Sequence, residues 1–178
     1  MSQKQQIAEA FERQVTAVGY SKANLDEVSR ELHISKKTIY VHFDGKREIY
    51  AYVVEKQAAR EQAKLRGMVA NLPTNRERAE ALLKFVIASA RAHIAETSQE
   101  EWLAEYEIAA DAFRKANGDL LREIVTEGID AGEFIAGDAD LVEKMVAAMV
   151  LDYTVLVNSA PEYDRDEELV ERILRFIG

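Results

Sequence analysis

A short stretch of the sequence concentrates side chains that could contact a phosphate or a base edge. Residues 36–46 supply ammonium, hydroxyl and imidazole groups from Lys36, Lys37, Thr38, Tyr40, His42 and Lys46. Ammonium groups bind phosphate oxygens and the acceptor atoms of guanine, and a threonine methyl group can contact the methyl group of thymine. The chemistry that these residues offer is recognition of a polyanion.

Two helix caps must position these side chains. Asn24 can cap one helix, and Glu27 follows it at the spacing of a capping box. Ser35 can cap the next helix through its hydroxyl group. Two short helices, of which the second is rich in cationic and hydroxyl groups, are typical of a helix-turn-helix, whose second helix enters the major groove of DNA.

Apolar residues at helical spacing predict which sides of these helices face inward. A first helix is expected from Gln3 to Val18, ending at Gly19. One small core should be formed by Ile7, Phe11, Val15, Val28, Leu32, Ile34, Ile39 and Phe43. The cationic and hydroxyl-bearing residues of the third helix then lie on its outer surface, where they would meet a groove.

The composition favours an all-α protein. Hydrophobic residues make up 48% and charged residues 31% of the 178 residues, with only two prolines and eight glycines. This balance suits amphipathic helices and does not suit a turn-rich β-sandwich. The periodicity predicts about nine helices, and Gly118 is expected to break or kink a helix that begins near Ser98.

Charge is distributed unevenly along the chain. The net charge is −9, yet residues 1–50 contain eight Lys and Arg against seven Asp and Glu, whereas residues 51–178 contain fifteen against twenty-five. The overall acidity argues against loose attraction to DNA or to an anionic membrane. The asymmetry predicts two domains with different functions, a head of residues 1–45 and a body of residues 46–178.

No group of residues in the sequence indicates an enzyme. Cysteine is absent, the three histidines lie far apart, and no glycine-rich phosphate loop or serine elbow occurs. We therefore expect no catalytic residue, no metal and no cofactor. The longest apolar run, Met145–Leu151, is far shorter than the roughly 18 residues that a membrane-spanning helix needs, and a cytoplasmic protein is expected.

The C-terminal part of the chain predicts a partner. The segment Met145–Val157 is apolar on nearly every side, and Asp152 and Thr154 are its strongly polar residues. A helix that is apolar all round must be buried on more than one face. We expect this helix and the final one to form a homodimer, with Asp152 satisfied in the core or across the interface.

A pocket for a small molecule is a further expectation for the body. Aromatic and apolar residues at helical spacing could line it, although such residues more often belong to a core. The candidates for ligand binding are His93, Trp102, Glu105, Tyr106, Phe113, Met149 and Tyr153.

The stretch "ANLDEVSRELHISKKTIYVHFDGKREIY", residues 23–50, resembles the tetracycline-repressor (TetR) family of bacterial transcriptional regulators. The likeness lies in the capped short helix, the Ser after the turn, the Thr-aliphatic-Tyr of the recognition helix, the later Phe, and the Lys and acidic residue that open a long helix. The resemblance implies a two-fold dimer, in which the head, residues 1–45, is a helix-turn-helix DNA-binding domain. It implies that the body, residues 46–178, is the ligand-binding and dimerisation domain and contains a ligand pocket.

The sequence departs from the family pattern in the turn and in the recognition helix. His33 and Lys37 stand where the family most often has glycine, and Ser29 and Leu32 where it most often has alanine. His33 would need a left-handed or bridging backbone conformation. Lys37 adds a cation to the recognition helix, so its base preference cannot be taken from a relative.

The resemblance and the residue chemistry lead to one functional hypothesis. The chain is expected to be a repressor that binds an inverted-repeat operator as a homodimer and is released by a small-molecule effector. The residues expected at the double-stranded DNA are Asn24, Ser35, Lys36, Lys37, Thr38, Tyr40, His42 and Lys46. The alternatives are a helical ligand-binding or protein-interaction module that does not contact DNA, and an all-α enzyme.

Overall fold

The computed structural model of the protein describes the backbone of residues 1–96, 99–135 and 137–178. Side chains are described for the same residues apart from 93–96, 99–107, 110, 111 and 113. This part of the chain is all-α, as predicted, and contains eight α-helices and one 3-10 turn, Pro161–Tyr163. Helices α1 to α8 span, in order, Gln3–Val18, Leu25–Glu31, Lys36–His42, Lys46–Val69, Asn75–Glu96, Gln99–Asp130, Ala139–Ser159 and Asp166–Ile177.

Residues 1–59 and 97–113 form the first of two compact units. Its core is built mainly from the first four helices, because their apolar faces converge. The predicted core residues Ile7, Phe11, Val28, Ile39 and Phe43 are all buried, and Val15, Leu32 and Ile34 pack against them. Helix α4 adds further buried side chains to this core, namely Ile49, Tyr50, Val53 and Val54.

Local backbone chemistry fixes the short helices of the first unit. The side-chain oxygen of Asn24 accepts a hydrogen bond from the Glu27 amide at 3.0 Å, and Ser35 Oγ accepts one from the Thr38 amide at 3.1 Å. The two predicted caps are therefore confirmed. His33 has a φ of 54°, so of the two backbone conformations predicted for the turn, left-handed or bridging, the left-handed one is present.

Residues 60–96 and 114–178 form the second unit. Its core collects apolar side chains from five helices, α4 to α8. The largest fully buried ones are Leu65, Leu82, Ile87, Leu120, Ile124, Ile173 and Ile177. Helix α5 packs against α7 and α8 in this unit.

The expectation that Gly118 breaks a helix is wrong. Helix α6 continues through Gly118 for 32 residues, so the described part of the chain holds eight α-helices where about nine were predicted. The glycine serves packing instead, because a Cβ at this position would collide with the buried carboxylate of Glu143 on α7. No described helix is long and apolar enough to cross a membrane.

Candidate nucleic-acid interface

Helix α3 has an inner and an outer side that are sharply different. Ile39 is 0% exposed and anchors the helix in the core of the first unit, with Phe43 buried just beyond its end. Tyr40 is 54% exposed and Val41 is 72% exposed. Because an α-helix turns by about 100° per residue, Lys37 and Val41 lie opposite Ile39. Lys36 and Tyr40 lie on one flank of this outer side, and Thr38 and His42 on the other.

The residues that cap α2 and α3 have their side-chain oxygens engaged. Asn24 is exposed, and its side-chain oxygen holds the first turn of α2. Ser35 Oγ accepts from the Thr38 amide and lies 2.9 Å from Thr38 Oγ1, in a hydroxyl–hydroxyl bond. These bonds fix the start of each helix, and a contact between either cap and DNA stays a prediction.

Lys36 on α3 forms an ion pair with α2. Its Nζ lies 2.6 Å from Oδ1 of Asp26, and both side chains are about half exposed, at 49% and 60%. An ion pair as exposed as this contributes only about 0–1 kcal/mol to stability. A phosphate could therefore replace Asp26 as the partner of Lys36 at small cost.

Lys46, at the first position of α4, is held by the loop that follows α1. Its Nζ donates to the main-chain oxygens of Tyr20 and Ser21, each at 3.1 Å, and lies 4.6 Å from the centre of the Tyr20 ring. Burial raises the pKa of Tyr20, and the charge of Arg47 opposes this rise. Lys46 thus ties the loop to α4 and retains one donor for a phosphate, since an ammonium group has three.

Two side chains of α1 support the far end of α3. Gln3 Oε1 lies 3.2 Å from Nε2 of His42. The ammonium of Lys4 lies 4.8 Å from the ring centre of Phe43 and 5.1 Å from that of Tyr52. Sequence reasoning missed Lys4, because nothing in the spacing of the chain shows which rings an N-terminal lysine will meet.

Lys37 and Val41 complete the outer side of α3. Lys37 is exposed and has no ion pair or hydrogen bond in the described part of the chain. Val41 was not among the predicted site residues, although its position four residues after Lys37 could have indicated it. An apolar side chain this exposed, beside a lysine and a tyrosine, belongs to the same surface.

Most of the predicted ligand-binding residues lie outside the side chains that the structure describes: His93, Trp102, Glu105, Tyr106 and Phe113. Met149 and Tyr153 are partly buried and pack against the core of the second unit. Their role in ligand binding stays a prediction. No group of three or more His, Cys, Asp or Glu suited to a metal ion occurs among the described residues.

Tyr153 lies in a hydrogen-bonded cluster of the second unit. Its hydroxyl donates to Oδ1 of Asp166 and accepts from the Arg165 amide, each at 2.7 Å. Arg91 on α5 pairs with Asp164 and Asp166, each at 2.6 Å. The cluster fastens the start of α8 to α5 and α7.

Comparison with known proteins identifies a family match in the N-terminal part of the chain. Residues 7–53 match the family of bacterial regulatory proteins, tetR family. The resemblance predicted from residues 23–50 is confirmed. No curated protein matches the chain.

Solved structures with the same fold cover nearly the whole chain. RolR in complex with resorcinol superposes with a TM-score of 0.78 at 16% identity, covering 98% of this chain and 87% of that one. FadR from Bacillus subtilis in complex with stearoyl-CoA superposes with a TM-score of 0.69 at 17% identity, covering 98% of this chain and 99% of that one. A protein from Shewanella sp. PV-4 that is described as a tetR-family transcription regulator superposes with a TM-score of 0.59 at 16% identity, covering 99% of this chain and 96% of that one. The chain therefore has the fold of TetR-family regulators.

Proposed function

We propose that this chain, whose head matches the tetR family, is a DNA-binding transcriptional regulator of the cytoplasm that represses its target genes. One observation carries the proposal: α3 is anchored by Ile39 and turns Lys37, Tyr40 and Val41 toward solvent. A helix with such a side fits the major groove, which is about 12 Å wide.

Phosphate contacts would come from both flanks of α3 and from α4. Lys36 and Tyr40 lie on one flank of the outer side and His42 on the other, so they would face the two backbones that border the groove. Lys46 would add a contact at the start of α4, where free amide groups also favour an anion. These contacts position the head and carry no sequence information by themselves.

A homodimer through the last two helices is part of the proposal. Helix α7 exposes a row of large apolar side chains in the described structure, and α8 adds one more: Leu141, Met145, Leu151, Val155, Leu156 and Phe176. Exposed apolar side chains that lie along one helix in this way support an interaction site there. A two-fold dimer would set two α3 helices about 34 Å apart, so the operator would be an inverted repeat.

Release by a small molecule is the proposed means of regulation. The structures of RolR and FadR were solved with resorcinol and stearoyl-CoA, respectively, which supports a ligand site in a body of this fold. An effector would lower DNA affinity if it binds the non-binding conformation better, with a coupling of about 1–3 kcal/mol.

The test is DNA binding measured against salt concentration. The full chain is titrated with duplexes selected from a random-sequence pool, and the affinity should fall steeply as salt rises. Lys46→Gln should weaken binding to every duplex and reduce the slope by about one, with Lys46→Arg restoring it. Lys64→Gln, which removes an exposed charge from the C-terminal half of α4, is the matched control.

A flat salt response, or no binding to any duplex, would overturn the proposal. That result would favour a helical module that binds ligands or proteins without contacting DNA.

A further inference from the structure

Most side chains of α3 that have an ion pair or a hydrogen-bond partner within the protein lie on the flanks of the helix. On its flanks, Lys36 is paired with Asp26, the Thr38 hydroxyl is bonded to Ser35, and His42 lies within hydrogen-bond distance of Gln3. Opposite Ile39, Lys37 and Val41 have neither an ion pair nor a hydrogen bond within the described part of the chain, and the flank residue Tyr40 shares this property with them.

This arrangement separates positioning residues from residues that can read bases. A side chain at the centre of the outer side points to the floor of a groove, whereas one on a flank points to its walls, where the phosphates lie. Tyr40 lies on the line of Lys36, about 80° from the centre of the outer side. Its hydroxyl therefore faces a backbone.

We propose that Lys37 and Val41 are the specificity-determining pair of this protein, reading a guanine and a thymine in each half of the operator. The proposal rests on the proposed function. Lys37 would donate to O6 and N7 of the guanine, which are acceptors in the major groove. Val41 has no donor or acceptor, so the feature that it can recognise is the methyl group of the thymine.

The helix geometry sets the distance between the two bases. Lys37 and Val41 are four residues apart and one above the other, separated by about 6 Å along the axis of α3. Base pairs of DNA are stacked about 3.4 Å apart. The guanine and the thymine should therefore lie within about two base pairs of each other.

The experiment starts from random-sequence duplexes selected with the wild-type chain and sequenced, which gives the preferred half-site. The affinity is then measured for three forms of one selected duplex. These are the unmodified form, a form with 7-deazaguanine at the preferred guanine, which lacks N7, and a form with uracil at the preferred thymine, which lacks only the methyl group. We expect each change to weaken wild-type binding by about three- to tenfold.

The affinity of each variant should respond to one of the two base modifications and not to the other. Lys37→Ala should bind the guanine and 7-deazaguanine forms equally and still distinguish thymine from uracil. Val41→Ser should show the reverse. Both positions are exposed, so the thermal unfolding of each variant should match that of the wild type. Lys64→Ala and Met68→Ser, at exposed positions of α4, should leave all the affinity ratios unchanged.

The two proposals fail in different ways. If a half-site is selected but Lys37→Ala and Val41→Ser keep the full discrimination, the assignment of the reading pair is wrong while the regulator stands. If no sequence is enriched and binding does not respond to salt, both are overturned.

Discussion

The ring of Phe134 covers the Cα of Gly128. Phe134 is buried, and its amide donates to the Gly128 carbonyl oxygen at 3.1 Å, which folds the chain after α6 back over the helix. A Cβ at position 128 would lie far closer to the ring carbons of Phe134 than van der Waals contact allows. The absence of a side chain at Gly128 thus allows the last turn of α6 to be closed by an aromatic ring.

Gly128→Ala should therefore destabilise the protein, although alanine is normally the better helix former. Overpacking against a buried ring should lower the free energy of unfolding by about 1–3 kcal/mol. Gly67→Ala is the matched control, because Gly67 lies in α4 and a Cβ there would meet nothing within 4 Å. That change should raise the free energy of unfolding by about 0.5–1 kcal/mol. Urea unfolding of the two variants measures both effects, and equal shifts would contradict the packing argument.

Asp26→Asn should strengthen DNA binding. The Asp26 carboxylate neutralises Lys36 on the outer surface of the head, and it would also repel nearby phosphates. Its loss should raise the affinity for all duplexes by about three- to tenfold at low salt, with less gain at high salt. Asp130→Asn makes the same charge change at the end of α6 and serves as the control. If both variants bind like the wild type, Lys36 does not face DNA.

Tyr153→Phe should lower stability in a manner that depends on pH. The variant loses the bonds to Asp166 and to the Arg165 amide, which together contribute about 1–3 kcal/mol. Burial, with the bond to Asp166 acting in the same direction, raises the pKa of Tyr153 from 10.0 to about 12. The unfolded chain therefore loses the phenolic proton at a lower pH than the folded chain does.

The wild type should have a larger free energy of unfolding than Tyr153→Phe. This difference should be constant below pH 10 and should shrink as the pH rises toward 12. Urea unfolding of both proteins from pH 7 to pH 11.5 gives this difference directly. A difference that stays constant over the whole range would show that the Tyr153 hydroxyl ionises alike in both states.

Val155→Glu should separate the proposed dimer. Val155 is 43% exposed on α7, and a carboxylate buried there in an interface would lack a partner. Sedimentation should then give the mass of one chain, and affinity for an inverted-repeat duplex should fall because one half-site is lost. Met68→Glu places the same charge on another exposed apolar residue, in α4, and should leave the mass unchanged. If Val155→Glu stays dimeric, the interface lies elsewhere.

The features of the head that could be predicted from the sequence are local. Asn24 and Ser35 cap their helices because a short polar side chain binds an amide three residues away, and the spacing alone shows this. Ile39 and Phe43 are buried because the helical period places them on one side. An unusual backbone at His33, left-handed or bridging, was predictable because the family most often has glycine there.

The features that escaped prediction depend on contacts between distant residues. Gly118 was predicted to break a helix because glycine is a poor helix former. The reason for a glycine here is Glu143 on α7, whose carboxylate occupies the space that a Cβ would need, and this residue is distant in sequence. The pairing of Lys36 with Asp26 and the carbonyl bonds of Lys46 likewise arise only once α1 to α4 have packed. Sequence reasoning could name these lysines but could not show which partner each one meets.

The first six residues belong to the working head even though the family match begins at residue 7. Ser2 and Gln5 form the capping box that starts α1, Gln3 meets His42, and Lys4 sits against two aromatic rings. A shortened chain that begins at Ile7 would lack the capping box of α1 and the contacts of Gln3 and Lys4, so α3 would lose part of its support. Weak DNA binding by such a shortened chain would therefore not contradict the proposed function.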